Sequence, residues 1–165
     1  IEYIVERELA RSRDSHQIRR HCKLAPIAVR LQAALSRQPG AEHIAWVVDI
    51  PETLRAPFDE FDLTELLGNL IDNAMKWTQG RITLRAGHDG DLAFLTVEDD
   101  GPGIPGAARD AVLERGSRLD KGKPGTGLGL SIAHDMAVAH DCSLSLGRAP
   151  LGGLLVRLTW SRLKE

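Results

Sequence analysis

Asn69, Asn73 and Lys76 stand three or four residues apart in the stretch Asn69-Leu70-Ile71-Asp72-Asn73-Ala74-Met75-Lys76. On a helix such spacing stacks the side chains along one line. Amide oxygens suit a hard cation such as Mg²⁺, and an ammonium meets phosphate as a point charge. Asparagine is a poor helix former, because its amide competes for backbone hydrogen bonds, so two of them one turn apart point to a use beyond helix formation. The ordinary alternative is a solvated polar face.

Two glycine turns follow. The first, Glu98-Asp99-Asp100-Gly101-Pro102-Gly103-Ile104-Pro105-Gly106, closes a strand-like run. Gly101, Gly103 and Gly106 spell GxGxxG, with Asp120 near the distance a ribose contact would need. Two prolines inside the turn oppose a dinucleotide site, since they remove amides that should face a pyrophosphate. The acidic pair would also repel that anion. A carboxylate at a strand end is better suited to accept a hydrogen bond from an amine, such as that of adenine. A plain tight turn is the bland alternative. The second turn, Gly125-Thr126-Gly127-Leu128-Gly129-Leu130, opens a helix, where glycines let backbone amides approach a phosphate. No Walker lysine loop is present, because Ser117–Pro124 lacks its first glycine and its hydroxyl residue. Ser131 lies outside any GxSxG elbow.

The elements that must carry these residues follow from periodicity. Leu63, Leu66, Leu67, Leu70, Ile71 and Ala74 span an arc of about 140° at helical pitch. Asp62, Glu65, Asn69, Asp72, Asn73 and Lys76 span about 100° opposite them, predicting an amphipathic helix over 61–78. Strands are predicted at 43–51, at Arg81–Ala86 and Leu92–Glu98 around a turn at 88–91, and at 142–147 and 153–160. Short helical residues at 107–114 precede an irregular 115–124, and a helix is predicted over 128–140. Residues 1–36 read as two helices meeting near His21–Ala25, where Pro26 fits the first turn of the second. The order of elements predicts an α+β chain: a two-layer α/β sandwich with a mixed sheet and helices on one face.

Composition narrows the class. The chain has 165 residues, 42% hydrophobic and 27% charged, with 21 Lys+Arg against 23 Asp+Glu. A net charge of −2 gives no broad basic surface for nucleic acid. No apolar run reaches the roughly 18–20 residues that would span a bilayer. Cys22 and Cys142 are not spaced as metal ligands and read as reduced thiols. The chain opens without Met, and the expectation is a piece of a longer protein.

Asn69-LIDNAMKW-Thr78 resembles the N box of bacterial two-component sensor histidine kinases. Asp99-DGPGI-Pro105 and Gly125-TGLGLSI-Ala133 resemble their two glycine boxes, in the same order. Val97-EDDGPGIP with Arg115-GSRLDKGKPGTGLGL is particularly similar to the PhoQ-type branch, and Leu24-APIAVRLQAAL resembles the end of a second dimerisation helix. The resemblance implies the Bergerat-type ATP-binding fold shared with gyrase, Hsp90-type chaperones and MutL. It implies a partial dimerisation helix and linker over 1–36 and a catalytic domain over 37–165. ATP and Mg²⁺ are the implied ligands. Asn73 would bind the metal, with Asn69 one turn earlier and Thr126 near it. Lys76 would face phosphate and Trp77 would stack near adenine. Asp100 would accept from the adenine amine, with Gly101, Gly103 and Ile104 shaping the turn. Arg115, Arg118 and Lys123 would belong to a lid over the phosphates, with Gly125, Gly127, Leu128, Gly129 and Leu130 cradling them.

The implied activity is transfer of the γ-phosphoryl of ATP to a histidine on a separate dimerisation domain, for relay to a response regulator. A homodimer is implied for the full-length protein, with this domain cytoplasmic and the whole anchored in the inner membrane. Neither the phenylalanine box before the lid nor the His-Glu/Asp-x-x-Thr/Asn-Pro acceptor setting occurs, so His16, His21, His43, His88, His134 and His140 read as surface or packing residues. Glu65 could polarise an accepting imidazole, although solvated charge is its ordinary fate. The alternatives are a conformational ATPase of the gyrase or chaperone type and a non-catalytic nucleotide sensor. The ATPases carry a Glu near where Asn69 stands, and an amide cannot serve as general base.

Overall fold

The computed structural model describes residues 20–114 and 128–162. A two-residue strand, β1 (Cys22–Lys23), pairs antiparallel with β3 (Arg55–Ala56). Between them lie helix α1 (Leu24–Leu35) and strand β2 (Ala45–Asp49). Helix α2 (Glu60–Trp77) leads to the hairpin of β4 (Arg81–Asp89) and β5 (Leu92–Asp99). A 3₁₀ turn, Gly106–Ala108, and the one-turn α3 (Arg109–Val112) follow. Helix α4 (Gly129–Ala139) and the hairpin of β6 (Ser143–Arg148) and β7 (Leu154–Ser161) complete the described chain.

The main sheet has the order β2-β4-β5-β7-β6, with β2 and β4 parallel and every other pair antiparallel. The mixed sheet of the sequence reading is therefore present. Alternation along the strands selects the face that meets the helices. Ile82 and Leu84, then Leu95 and Val97, then Val156 and Leu158 are buried in one core with the apolar stripe of α2. On the other face Arg157 stacks over the Phe94 ring at 4.2 Å.

Helix α2 forms because three local signals agree with the burial pattern. Asp59 caps it, its carboxylate accepting from the Asp62 amide at 2.8 Å. Glu60 and Asp62 occupy the first turn and Lys76 the last, as the helix dipole favours. Leu63, Leu66, Leu67, Leu70, Ile71 and Ala74 are buried, and each large side chain contributes about 1.5–3 kcal/mol of transfer free energy. Gly68 interrupts this helix at a cost of about 1 kcal/mol relative to alanine. Nothing lies within 4 Å of where its Cβ would stand, so internal packing does not require it.

α2 is the middle helix. Arg30 of α1 reaches Glu60 at 2.6 Å. At the far side His140, just past α4, has Nε2 3.1 Å from Asp62 Oδ2 and Nδ1 2.9 Å from the Pro57 carbonyl. The Phe58 ring lies 4.3 Å from its centroid. His140 thus packs, as expected of it.

The structure differs from expectation in three places. The helix at the N-terminal side starts at Leu24, behind a strand pair that no periodicity announces; residues 1–19 lie outside the described chain. β4 and β5 continue through His88 and Asp89, leaving Gly90 at φ +61° and Asp91 as the turn. The helical residues expected at 107–114 divide into a 3₁₀ turn and one α turn. Leu24, Ile27 and Ala28 of α1 belong to the same core as the sheet.

Candidate functional site

Three segments meet near the C-terminal half of α2: the turn after β5, the turn between β6 and β7, and the start of α4. Backbone proximity fixes the meeting. A Cβ on Gly101 would collide with the Trp77 carbonyl at the end of α2, and one on Gly153 would collide with the Asp99 backbone. Gly103 takes φ +71°, and its Cβ would stand 3.2 Å from the Gly152 carbonyl oxygen. A Cβ on Gly129, the first residue of α4, would lie 3.6 Å from the Asn69 carbonyl oxygen and 3.8 Å from Asn69 Oδ1. The Asn69 region and the second glycine turn, sixty residues apart in sequence, are therefore neighbours.

The two aspartates after β5 have different surroundings. Asp99 is 3% exposed, and its Oδ1 accepts the amides of Gly101 at 2.8 Å and Leu154 at 3.2 Å. Burial pushes its carboxyl up, the two amides pull it down, and the Asp100 charge adds to the rise; the net direction is upward. Its Oδ2 has no hydrogen bond among the described residues.

Asp100 points elsewhere. Its Oδ1 accepts the Thr78 hydroxyl at 2.6 Å and the amides of Gln79 and Gly80 at 2.8 and 3.1 Å. Burial works upward on it, but these donors, with the Arg81 amide, outweigh that and hold it at about 2. Asp100 closes the turn that ends α2. Asp100, expected to accept from the adenine amine, thus has its Oδ1 already taken by three protein donors, whereas the buried carboxylate is Asp99, whose hydrogen bonds among the described residues fall on Oδ1 alone. Sequence reasoning passed over a usable signal, because Ala93, Leu95 and Val97 point inward and the same parity carries Asp99 inward.

On α2, Asn69 Nδ2 donates to the Glu65 carbonyl at 3.0 Å, which leaves its Oδ1 as the available end. The Asn73 amide is half-buried and has no partner among the described residues. Lys76 Nζ lies 3.3 Å from Asp72 Oδ2. Trp77 and Ile104 are half-buried, the latter packed on the core. Leu128 precedes α4, and its carbonyl accepts the Ile132 amide at 2.8 Å and the Ser131 hydroxyl at 2.9 Å. Leu130 is buried in the core. Arg115, Arg118, Lys123, Gly125, Thr126 and Gly127 lie outside the described residues.

Among the described residues no group of three His, Cys, Asp or Glu side chains could hold a metal. The donors that α2 does offer are neutral amide oxygens, which suit Mg²⁺ when phosphate oxygens and water supply the remaining ligands.

Residues 58–164 match the family of histidine kinase-, DNA gyrase B- and HSP90-like ATPases, and the chain belongs to it. Within that family its relatives are sensor kinases. It is 50% identical over 113 residues to the sensor protein kinase CarS of Pseudomonas aeruginosa, covering 68% of this chain and 25% of that protein. It is 35% identical over 149 residues to the two-component sensor PhoQ of the same organism, covering 90% of this chain and 33% of that one. The chain thus spans a third or less of these relatives. Among solved structures, the mycobacterial sensor histidine kinase MprB superposes with a TM-score of 0.76 at 26% identity, over 87% of this chain and 97% of that one. Full-length ShkA, solved in complex with AMPPNP, gives a TM-score of 0.71 at 25% identity, over 85% and 30% of the respective chains. The chain is an ATP-binding domain of the histidine kinase type.

Proposed function

We propose that this domain binds Mg²⁺-ATP and transfers its γ-phosphoryl group to a histidine on a separate dimerisation domain. The single observation that carries the nucleotide assignment is Asp99: a buried carboxylate with Oδ1 held by two amides and Oδ2 left for a donor such as the adenine amine. Gly101, Gly103 and Gly153 admit no side chain there, which keeps the backbone close to a flat ring. The crystallised complex of ShkA with AMPPNP supports the same class of ligand.

Asn73, with Asn69 Oδ1 one turn earlier and Thr126 from the second glycine turn, would hold the metal. Bound there, Mg²⁺ neutralises charge on the phosphates. Lys76 exchanges its exposed Asp72 partner for phosphate, and the amides at the start of α4 face the anion with the helix dipole behind them. Trp77 and Ile104 flank the base; Arg115, Arg118 and Lys123 supply cations from the lid. In the transfer an imidazole nitrogen forms a bond to the γ-phosphorus as the bond to the β,γ-bridging oxygen breaks, and ADP leaves. The protein contributes position and charge neutralisation.

The acceptor domain, a homodimer of the whole protein, a response regulator that takes the phosphoryl group, and membrane anchorage are part of the same proposal. They rest on the relatives named above as two-component sensors. Among the described residues no helix is long and apolar enough to cross a membrane. We also propose that the catalytic unit begins at β1 and not at residue 37, since Leu24, Ile27 and Ala28 are buried in its core.

The test is incubation with γ-labelled ATP, alone and with a helical hairpin carrying a His-Glu/Asp-x-x-Thr/Asn-Pro motif. Label on the hairpin, stable to base and lost in acid, is expected. No label on the hairpin, with ATP bound, would remove the kinase reading.

A further inference from the structure

Helices α2 and α4 pack side by side in opposite directions, and a contact at each end marks how they are aligned. At one end Gly129, the first residue of α4, stands against Asn69, with 3.6 Å between its Cβ position and the Asn69 carbonyl oxygen. At the other end His140, which closes α4, meets Asp62 in the first turn of α2. Its Nε2 lies 3.1 Å from Asp62 Oδ2 and its Nδ1 2.9 Å from the Pro57 carbonyl oxygen. The ring also lies 4.3 Å from that of Phe58, which is fully buried. Little else keys α4 along its axis. The α4 residues with no exposed surface, Ser131, Ala133 and Ala137, are too small to interlock with a neighbouring helix, and Leu128 at the N-cap offers no side-chain acceptor. The C-terminal end is firm. Asp141 turns at φ +56° and the Cys142 amide donates to the Ala137 carbonyl at 2.9 Å, which fixes His140 on its own helix.

We propose that His140 is a positioning residue: it sets the register of α4 on α2, and with it the distance between the phosphate-facing amides of α4 and the Asn69 amide oxygen. The inference rests on the functional reading above and adds to it the residue that holds the two phosphate elements together. α4 spans 11 residues, about 16 Å at helical rise, and it moves as a rod, so a shift at His140 reappears at Gly129. Gly129 already stands close to Asn69, so release of the pin can only open that gap. The base site is insulated from the movement. Asp99 is held by the Gly101 and Leu154 amides, which belong to the strand turns and not to α4. Loss of the pin is therefore felt by the phosphates and the metal, and not by adenine.

The experiment compares a ligand with phosphates and one without. The 165-residue chain is titrated with Mg²⁺-ATP by calorimetry and with adenosine by amide chemical shifts, well below its melting temperature. His140→Ala should weaken Mg²⁺-ATP binding about tenfold, within the roughly 100-fold that a misplacement of about 1 Å can cost, and leave adenosine binding unchanged. Asp62→Ala removes the same pin from the α2 side and should show the same split, which also serves if His140→Ala does not fold. The double variant should lose no more than either single one, since both break one interaction. His140→Gln, which can still donate to either oxygen, should recover part of the loss. A merely structural role would lower the melting temperature and leave both affinities alone, or loosen the domain and lower both together. Either pattern in both single variants would overturn the positioning role, as would additive losses in the double variant. Failure of the unaltered chain to bind Mg²⁺-ATP would remove the functional reading and the inference with it, whereas normal Mg²⁺-ATP binding by the variants would remove the inference alone.

Discussion

At the scale of single residues, the adjacent aspartates make opposite predictions. Asp99→Asn should weaken ATP binding by roughly 10- to 150-fold, the worth of a charge-assisted hydrogen bond of about 1.5–3 kcal/mol. ATP affinity should also fall as pH drops into the raised titration range of Asp99, since protonation removes the acceptor. Calorimetric titration at several pH values checks both. Asp100→Asn should leave ATP affinity near its original value and lower stability by about 1–3 kcal/mol, because one oxygen collects the Thr78 hydroxyl and two amides. The sign follows from its depressed carboxyl. Stability supplied by Asp100 is complete above its ordinary value of 3.8 and is lost as pH falls through about 2. Acid unfolding should therefore begin at higher pH in Asp100→Asn. Equal loss of ATP binding in both variants would return the adenine contact to Asp100. Asn73→Ala should weaken ATP binding in magnesium and leave binding in chelator nearly unchanged; an equal loss in both would mean that Asn73 only packs.

At the scale of elements, close backbone approach dominates. Gly153→Ala drives a methyl into the Asp99 backbone, and neither side can yield by rotating a side chain. A stability loss of more than about 2 kcal/mol is expected, with the β6–β7 turn moving away from Asp99, and chemical denaturation measures it. What was legible in the sequence follows the same division. The amphipathic stripe of α2 and the alternation of β5 and β7 were readable because burial of many side chains imposes a period. The pairing of Cys22–Lys23 with Arg55–Ala56 was not, since two residues carry no period. That Asn69 lies beside Gly129 depends on how α2 packs on α4, and only the resemblance of the boxes hinted at it. Asp99 and Asp100 are chemically identical; parity along β5 separates them, and the glycine motif drew attention past it.

At the scale of the whole molecule, the described chain should bind ATP without labelling itself. None of its histidines sits in an acceptor motif, and His140 is enclosed by Asp62, Pro57 and Phe58. Hydrolysis should be slow as well, because the Asn69 amide donates to the Glu65 carbonyl and cannot take a proton from water. Acid-labile label retained by the isolated chain would identify one of its histidines as an acceptor after all.

The pairing of β1 with β3 has a mechanical meaning. Chain that arrives at residue 20 is not joined to the domain by a slack tether. Cys22 and Lys23 are laced to Arg55 and Ala56, Arg55 Nη1 donates to the His21 carbonyl at 3.0 Å, and Leu24 is buried just behind. Arg30 then ties α1 to Glu60, the first residue of the helix that carries Asn69 and Asn73. A variant that breaks this lacing, such as Arg55→Ala, should therefore loosen the leading edge of the domain first, seen as faster amide exchange at Cys22 and Lys23 than in the central sheet.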